Sequence, residues 1–223
     1  MFGLDGRIAG LSNGTTLLVV IGVSVLLGLR HASDPDHLTA VTTLIASRRA
    51  RATRQAAQLG LTWGLGHATS LFVFGLPVVL YSAYLPHELQ AAAETAVGVV
   101  IVLLAVGLLR RCRTAAPHVH RRSRTPWQAF SIGLVHGMGG TAGVGVLLLA
   151  TIHSPPLAIA ALALFAGCTA VSMSALSAGF GVALTAGAVR RSFHRIAPAL
   201  GFASLAFGVW YALGAQGLVP YKL

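Results

Sequence analysis

The fold of this chain is decided by a short polar segment inside apolar sequence, Leu29-Arg30-His31-Ala32-Ser33-Asp34-Pro35-Asp36-His37-Leu38. Five ionisable side chains fall within it, whereas residues 15–29 carry no charge and residues 38–46 are Leu, Val, Ile, Ala and Thr. These polar groups are therefore predicted at membrane depth. An ionisable side chain inside a bilayer is costly unless it pairs with another group or binds something. The segment is thus the first candidate for a functional site.

The composition is that of an integral membrane protein. Of the 223 residues, 55% are hydrophobic and 9% are charged, and the mean hydropathy is +0.77. Soluble domains carry about 25% charged residues. Six apolar stretches occur, most of them long enough to cross the hydrocarbon core as a helix: residues 15–29, 59–85, 95–109, 127–152, 157–189 and 196–219. The sequence predicts an all-α, polytopic membrane protein with six transmembrane helices in one domain, 1–223.

The net charge of +11 indicates membrane topology and not nucleic-acid binding. Thirteen of the sixteen Lys and Arg residues fall in three short connections: Arg48, Arg49, Arg51 and Arg54; Arg110, Arg111, Arg113, Arg121, Arg122 and Arg124; and Arg190, Arg191 and Arg195. If residues 14–46 form one broken crossing, all three lie on one side, whether residues 32–46 span or re-enter. The positive-inside rule then predicts a cell-membrane protein with cytoplasmic Arg-rich connections and external termini.

Pro35 predicts a break in the first transmembrane helix. Proline cannot donate a hydrogen bond to the carbonyl of His31, four residues earlier, and its ring clashes with that carbonyl. Asp34 as N-cap, Pro35 at the first helical position and Asp36 after it are typical of a new helix start. On one straight helix His31 and His37 would face different directions. The break allows them to converge.

The pattern Gly-Leu-x-His occurs three times, ending at His31, His67 and His136. The first and third copies open two groups of three predicted helices, 1–109 and 127–217, which the basic cytoplasmic loop 110–126 connects. Because three crossings is an odd number, the two halves are predicted to be inverted relative to each other. Inverted repeats with broken helices that meet at the midplane are a recurring transporter architecture. Chance is the alternative explanation for so short a pattern.

Two further features carry expectations about local structure. The fifth span, 157–189, exceeds the length of one straight crossing, so its centre, 168–174, is predicted to be irregular, and the sixth span is predicted to begin after Pro198. His118 and His120 have a spacing that can hold metal, but they lie in the basic loop and are interpreted as solvated side chains.

Six side chains are candidate metal ligands, because imidazole nitrogens and carboxylate oxygens together suit borderline divalent ions such as nickel, cobalt, zinc or copper. All are predicted within the bilayer: His31, Asp34, Asp36, His37, His67 and His136. For any single intramembrane histidine, a hydrogen bond between helices is the alternative. The spacing of His31, Asp36 and His37 within seven residues favours a metal site. Arg30 is expected to offset the aspartates or line the cavity, not to bind metal.

The segment from Arg30 to His37 resembles the signature of the nickel/cobalt permease family, Arg-His-Ala-x-Asp-Ala-Asp-His. A second segment, Gly66-His67-Ala68-Thr69-Ser70, is similar to that family's Gly-His motif, which small hydroxylated residues follow. The resemblance implies His31, Asp36 and His37 as metal ligands. The family's later Asp-Thr-Ala-Thr-Glu motif has no match here. The chain is also shorter than the usual eight-span form, and in this it is similar to short urease-accessory-type relatives.

Together these features predict a permease that takes up nickel or cobalt, with the ion as cargo, no prosthetic group and no enzymatic activity. No Gly-rich ATP-binding loop ending in Lys-Ser/Thr occurs. The membrane potential, a proton gradient or an unidentified partner subunit or metallochaperone would then drive transport. An accessory for maturation of nickel enzymes such as urease or hydrogenase, and a metal exporter, are the alternatives. An intramembrane metal-dependent hydrolase is less favoured, because His-Glu-x-x-His is absent and Glu88 and Glu94 are predicted at the external edge.

Overall fold

The computed structural model describes residues 4–46, 53–81, 86–113, 126–139 and 154–220, with residues 146, 149, 150 and 152 between the last two ranges. The described secondary structure is all α-helical, as the composition predicted: seven α-helices are described, and no strand occurs among these residues. They are α1 (Leu4–His31), α2 (Pro35–Ala46), α3 (Thr53–Tyr81), α4 (His87–Arg113), α5 (Pro126–His136), α6 (Pro155–Thr185) and α7 (Gly187–Ala215). The loop residues His118 and His120 lie outside the described ranges.

Four of these helices are long and apolar enough to cross a membrane: Arg54–Tyr81, His87–Arg113, Pro155–Leu184 and Arg191–Ala215. A fifth candidate is the pair Leu17–His31 and Pro35–Ala46, whose axes differ by 53°. The protein is therefore a multi-pass membrane protein. Of the predicted span 127–152, the structure describes α5 and the turn after it, to residue 139, and four isolated residues beyond.

The predicted break at Pro35 is confirmed. Helix α1 ends at His31 and α2 begins at Pro35. The His31 carbonyl, which Pro35 cannot reach as a donor, instead accepts the backbone N–H of Asp34 at 3.1 Å. The Asp34 carbonyl accepts the N–H of Leu38 at 3.0 Å, the first helical hydrogen bond of α2. The three-residue linker thus satisfies the backbone groups that the proline would otherwise leave unpaired in the apolar interior.

Packing places the short helix α2 inside the bundle. Helix α3 packs along α6 and α5, α4 packs along α7, and α1 lies against α6. Helix α2 contacts α4, α6 and α7. Its side chains are buried almost all round, and the Thr43 hydroxyl shares a 2.7 Å hydrogen bond with Ser204 of α7. Because α2 has 12 residues and rises about 18 Å, it spans roughly half of the hydrocarbon core.

The expectations for the last two helices were wrong. Helix α6 is continuous through 168–174, and α7 begins at Gly187, so Pro198 lies inside it. In α6 the Thr169 hydroxyl donates to the carbonyl of Phe165 in its own helix at 2.9 Å, which is compatible with unbroken helical geometry. In α7 the turn before Pro198 is stabilised by Ala197, which packs in a small buried cluster at the ends of α2 and α4.

Candidate metal centre

All six predicted ligand residues lie in one buried cluster, and none is more than 8% exposed. Four helices and the α1–α2 linker supply them. His31 lies at the end of α1, Asp34 in the linker, and Asp36 and His37 in the first turn of α2. His67 lies in the middle of α3 and His136 at the end of α5. The break between α1 and α2 is what brings ligands from both sides of Pro35 to the same place. Their role as ligands remains a prediction.

Two overlapping groups of side chains can each surround one ion. In the first group, one ring nitrogen from each of His31, His37 and His67 lies within 4.8 Å of the others. In the second group, the same distance relates one ligand atom each of Asp36, His37 and His136. His37 belongs to both groups, so the two positions are adjacent. Nitrogen-rich groups of this kind suit nickel or cobalt, whereas calcium and magnesium prefer oxygen ligands.

The two aspartates orient the histidines. Asp34 Oδ2 lies 3.1 Å from Nδ1 of His31, and Asp36 Oδ1 lies 3.1 Å from Nδ1 of His37. A carboxylate that accepts the Nδ1–H of an imidazole fixes its tautomer and leaves the Nε2 lone pair for a metal. The second oxygen of Asp36 lies 3.3 Å from Nε2 of His136. Asp36 therefore connects α2 to the end of α5 across the cluster.

Distances and unpaired atoms in the cluster fit a bound transition metal. Nε2 of His31 lies 3.1 Å from Nε2 of His67, and two imidazole nitrogens that bind one ion at about 2.0–2.1 Å are separated by a similar distance. Among the described residues, Nε2 of His37 and Nδ1 of both His67 and His136 have no hydrogen-bond partner. Buried polar atoms without partners are rare and need an explanation. A divalent ion at His37 Nε2 supplies one.

Two helices end at the cluster with the same polarity. Helix α1 ends at His31 and α5 ends at His136. The carboxyl end of a helix carries a partial negative charge of about half an elementary charge. Both helix ends therefore favour a cation at this position, as discontinuous transmembrane helices do in transporters.

Glycines set the depth at which His67 and His136 meet. A Cβ atom at Gly133 would overlap the carbonyl oxygen of Trp63, and one at Gly137 would overlap that of His67. In the other direction, a Cβ at Gly66 would overlap the carbonyl oxygen of Phe130 in α5. Small residues let membrane helices pack backbone to backbone. The glycines in these motifs therefore serve helix packing around the histidines.

The Gly133→Ala substitution should destabilise the protein by about 1–3 kcal/mol, because the added methyl group forces α3 and α5 apart. The free energy of unfolding in detergent measures this. The matched control is Gly167→Ala in α6, since no atom lies within 4 Å of a Cβ at Gly167, and we expect it to stay within about 0.5 kcal/mol of wild type. Equal stability of the two variants would contradict the close α3–α5 packing.

The sequence did not reveal the aromatic walls of the cluster. The ring of Trp63 lies 5.4 Å from that of His136 and 5.8 Å from that of His37, and the Phe165 ring lies 5.8 Å from that of His31. Trp63 is almost fully buried, and its indole N–H has no hydrogen-bond partner among the described residues. Its one sequence signal is the four-residue spacing to His67, which places both side chains on one face of α3. These rings exclude water from the cluster.

Arg30 occupies the exposed edge of the site, as expected for a residue that is not a ligand. Its side chain is 79% exposed, and its guanidinium lies 3.9 Å from Asp34 Oδ1. The exposed pair contributes little to stability. It does place a positive charge beside the least buried carboxylate of the cluster, so Arg30 offsets Asp34.

The family model that matches this chain is described as "High-affinity nickel-transport protein" (NicO), and it matches residues 17–123. Those residues contain the α1–α2 break with its ligand candidates, and His67 of α3. Over these residues, just under half of the chain, the sequence is similar to the NicO family. A curated relative is the urease accessory protein UreH of Bacillus sp. (strain TB-90), which is 24% identical over 209 residues, covering 87% of this chain and 91% of that protein. No solved structure matches the chain.

The NicO match covers fewer of the clustered residues than the structure brings together. The matched residues 17–123 include five of the six clustered residues, whereas His136 lies beyond them. His136 is nevertheless fully buried and lies 3.3 Å from Asp36. The structure, and not the NicO match, is therefore the reason to include His136 in the candidate site.

The Pro35→Ala substitution should weaken nickel binding about tenfold, a loss typical of disturbed metal-site geometry. Alanine returns an N–H that can bond to the His31 carbonyl, so α1 and α2 can straighten and separate His31 from His37. Equilibrium nickel binding to the purified protein measures this. Pro77→Ala, which removes an exposed proline inside α3, is the control and should bind within twofold of wild type. Wild-type affinity in Pro35→Ala would show that the break does not position the ligands.

Proposed function

We propose that this protein is a membrane permease that takes up nickel or cobalt through the His/Asp cluster. The observation that carries the proposal is the meeting of four histidines and two aspartates inside a membrane-embedded helical bundle, two ring nitrogens of which lie 3.1 Å apart. Ionisable groups at such depth mark ion pathways. The similarity of residues 17–123 to a family described as a high-affinity nickel-transport protein supports the same cargo.

The six residues hold the transported ion in two adjacent positions. In the first, His31, His37 and His67 replace water ligands with imidazole nitrogens. In the second, Asp36 and His136 join His37. Because His37 is common to both groups, the ion can pass between them without losing all its protein ligands. This lowers the cost of moving a dehydrated divalent ion through an apolar interior.

Uptake needs no nucleotide in this scheme. A membrane potential contributes about 2.3 kcal/mol per elementary charge per 100 mV, so a doubly charged ion gains about 4.6 kcal/mol on moving inward. Protons compete with metal for histidine nitrogens, so a proton gradient can also be coupled to release.

Two inverted halves, 1–109 and 127–217, would provide the alternation of access, and helix contacts support them. Helices α1 and α5 both end at the histidine of a Gly-Leu-x-His motif. A Cβ at Gly28 would meet Phe165 and Thr169 of α6, and one at Gly133 would meet Trp63 and His67 of α3. In α6 the two contacted residues, Phe165 and Thr169, are four residues apart, and so are Trp63 and His67 in α3. This is the contact pattern expected if the first span corresponds to the fourth and the second to the fifth.

The remaining helix pairs repeat the same exchange. A Cβ at Gly60 would meet Ser177, and one at Gly75 would meet Leu162. If Gly60 of the first half corresponds to Leu162 of the second, then Gly75 corresponds to Ser177, because both pairs have the same separation along the chain. The two contacts are then equivalent. Gly98 contacts Ala212 and Gly208 contacts Val102, again with equal separations between corresponding residues. If the two halves exchange places, α3 takes the position of α6 and α4 that of α7, and each pair keeps the same contacts. Six crossings in two inverted halves account for both relations.

The Arg-rich ends of the helices support a cytoplasmic assignment for one side. Arg110, Arg111 and Arg113 end α4, and Arg191 and Arg195 begin α7, which packs antiparallel to α4. The same end is therefore basic on both helices. By the positive-inside rule it faces the cytoplasm of the cell membrane, and the termini are external.

Nickel and cobalt uptake into proteoliposomes tests the proposal. Saturable flux above that of protein-free vesicles, increased by an inside-negative potential, is the expected result. A nickel-enzyme maturation accessory is the second candidate, because the relative UreH carries the name of a urease accessory protein. Tight nickel binding with no flux at any potential would favour the accessory. Metal flux that runs only outward, against the inside-negative potential, and that is coupled to the entry of another ion would favour an exporter.

A further inference from the structure

Glu94 is a buried carboxylate that the His/Asp cluster does not use. The sequence places it at the external edge of the third span, but in the structure it is 8% exposed. Its Oε1 accepts one hydrogen bond, at 3.0 Å, from the side-chain amide of Gln90 one turn earlier in α4. An amide donor does not neutralise a carboxylate charge. Glu94 therefore carries an electrostatic cost that its described surroundings offset only in part.

The other buried acids of the described chain differ in this respect. Asp34 lies within ion-pair distance of Arg30 and His31, and Asp36 lies within that distance of His37 and His136. Across the described ranges, no Lys, Arg or His forms such a pair with Glu94. Among the described residues, Glu94 therefore has no positively charged partner.

The position of Glu94 connects it to the metal centre. A Cβ at Gly139 would lie 2.8 Å from the Glu94 backbone nitrogen, so the turn after α5 packs directly on α4 at this residue. Gly139 follows His136 by three residues, which span at most about 11 Å. Glu94 thus lies against the turn that leaves His136 of the metal centre, in the half of α4 remote from its basic end.

We propose that Glu94, with Gln90, binds the transported divalent cation in hydrated form before the ion reaches the histidines. This inference rests on the proposed transport function. A carboxylate and an amide oxygen are hard ligands that hold divalent ions through few direct bonds and leave their water in place. The nitrogen-rich cluster then replaces that water with imidazole. A weak oxygen site outside a strong nitrogen site captures ions without retaining them, and the ion supplies the positive charge that Glu94 lacks.

The Glu94→Gln variant tests this site in proteoliposomes, because it removes the charge and keeps the size of the side chain. The concentration of nickel for half-maximal uptake should rise about tenfold, while the maximal rate stays within twofold of wild type. Mg²⁺ at millimolar concentration should raise the half-saturating nickel concentration of wild type and have no such effect on Glu94→Gln. Glu88→Gln, at an exposed position in the first turn of the same helix, is the matched control and should behave as wild type.

An unchanged half-saturating concentration in Glu94→Gln would overturn the proposal. So would a loss of maximal rate that follows a loss of thermal stability, since it would show a structural role. A binding readout separates this inference from transport itself. Electron paramagnetic resonance of Mn²⁺ added to the full-length protein should show one weakly bound ion that Glu94→Gln loses and His37→Ala retains. If wild type shows no flux, the transport proposal fails, and the Mn²⁺ measurement still decides the role of Glu94.

Discussion

Nickel uptake by His37→Ala should fall at least 100-fold, the largest effect we expect from a single substitution in this chain. His37 is the one residue that both candidate ion positions share, and its ring is fully enclosed among the rings of His31, His67 and His136. Loss of a residue that only orients a metal ligand reduces metal affinity about 10–100-fold, so loss of a shared ligand should reduce it further. Initial rates of radioactive nickel uptake into proteoliposomes measure this.

A control separates lost coordination from lost folding. His37→Gln keeps most of the side-chain volume and should be nearly as inactive as His37→Ala, with thermal stability close to that of wild type. His194→Ala removes an exposed histidine in α7 and should leave uptake unchanged. Substantial uptake by His37→Gln would contradict the shared-ligand role, because its amide cannot replace the imidazole nitrogen in both groups.

The meeting of these six polar residues could be predicted from sequence because its signal is chemical and local. Ionisable residues are so costly in apolar sequence that their presence around Pro35 already indicated a site. The break itself follows from one residue, since a proline without an N–H acts on the carbonyl four residues earlier. His67 and His136 are distant in sequence, but they too were predicted because an ionisable side chain in an apolar segment is costly.

Features set by packing between distant segments could not be predicted. Helix α6 is continuous with the Thr169 hydroxyl bonded inside it, whereas Ser174 donates to the carbonyl of Ala57 in α3 at 3.0 Å. The same small hydroxylated residues are compatible with an irregular centre until the neighbouring helix is known. Glu94 is buried, and the turn at Gly139, far along the chain, packs against its backbone. Trp63 resembles any apolar core residue in sequence and becomes part of the site through its contacts alone.

Asp36→Asn should reduce nickel binding and uptake about 100-fold, the upper end of the range for residues that orient ligands. Asp36 is fully buried, and its two oxygens face Nδ1 of His37 and Nε2 of His136. The amide of Asn presents a donor where one of these histidines needs an acceptor, so one imidazole loses its orientation. The substitution also removes the negative charge that offsets a divalent ion in the apolar interior. Asp34→Asn is the graded comparison, because Asp34 faces Nδ1 of His31 and is the less enclosed carboxylate; about a tenfold loss is expected. Equal losses in the two variants, measured by equilibrium nickel binding, would show that charge at the cluster matters and that the bridge between α2 and α5 does not.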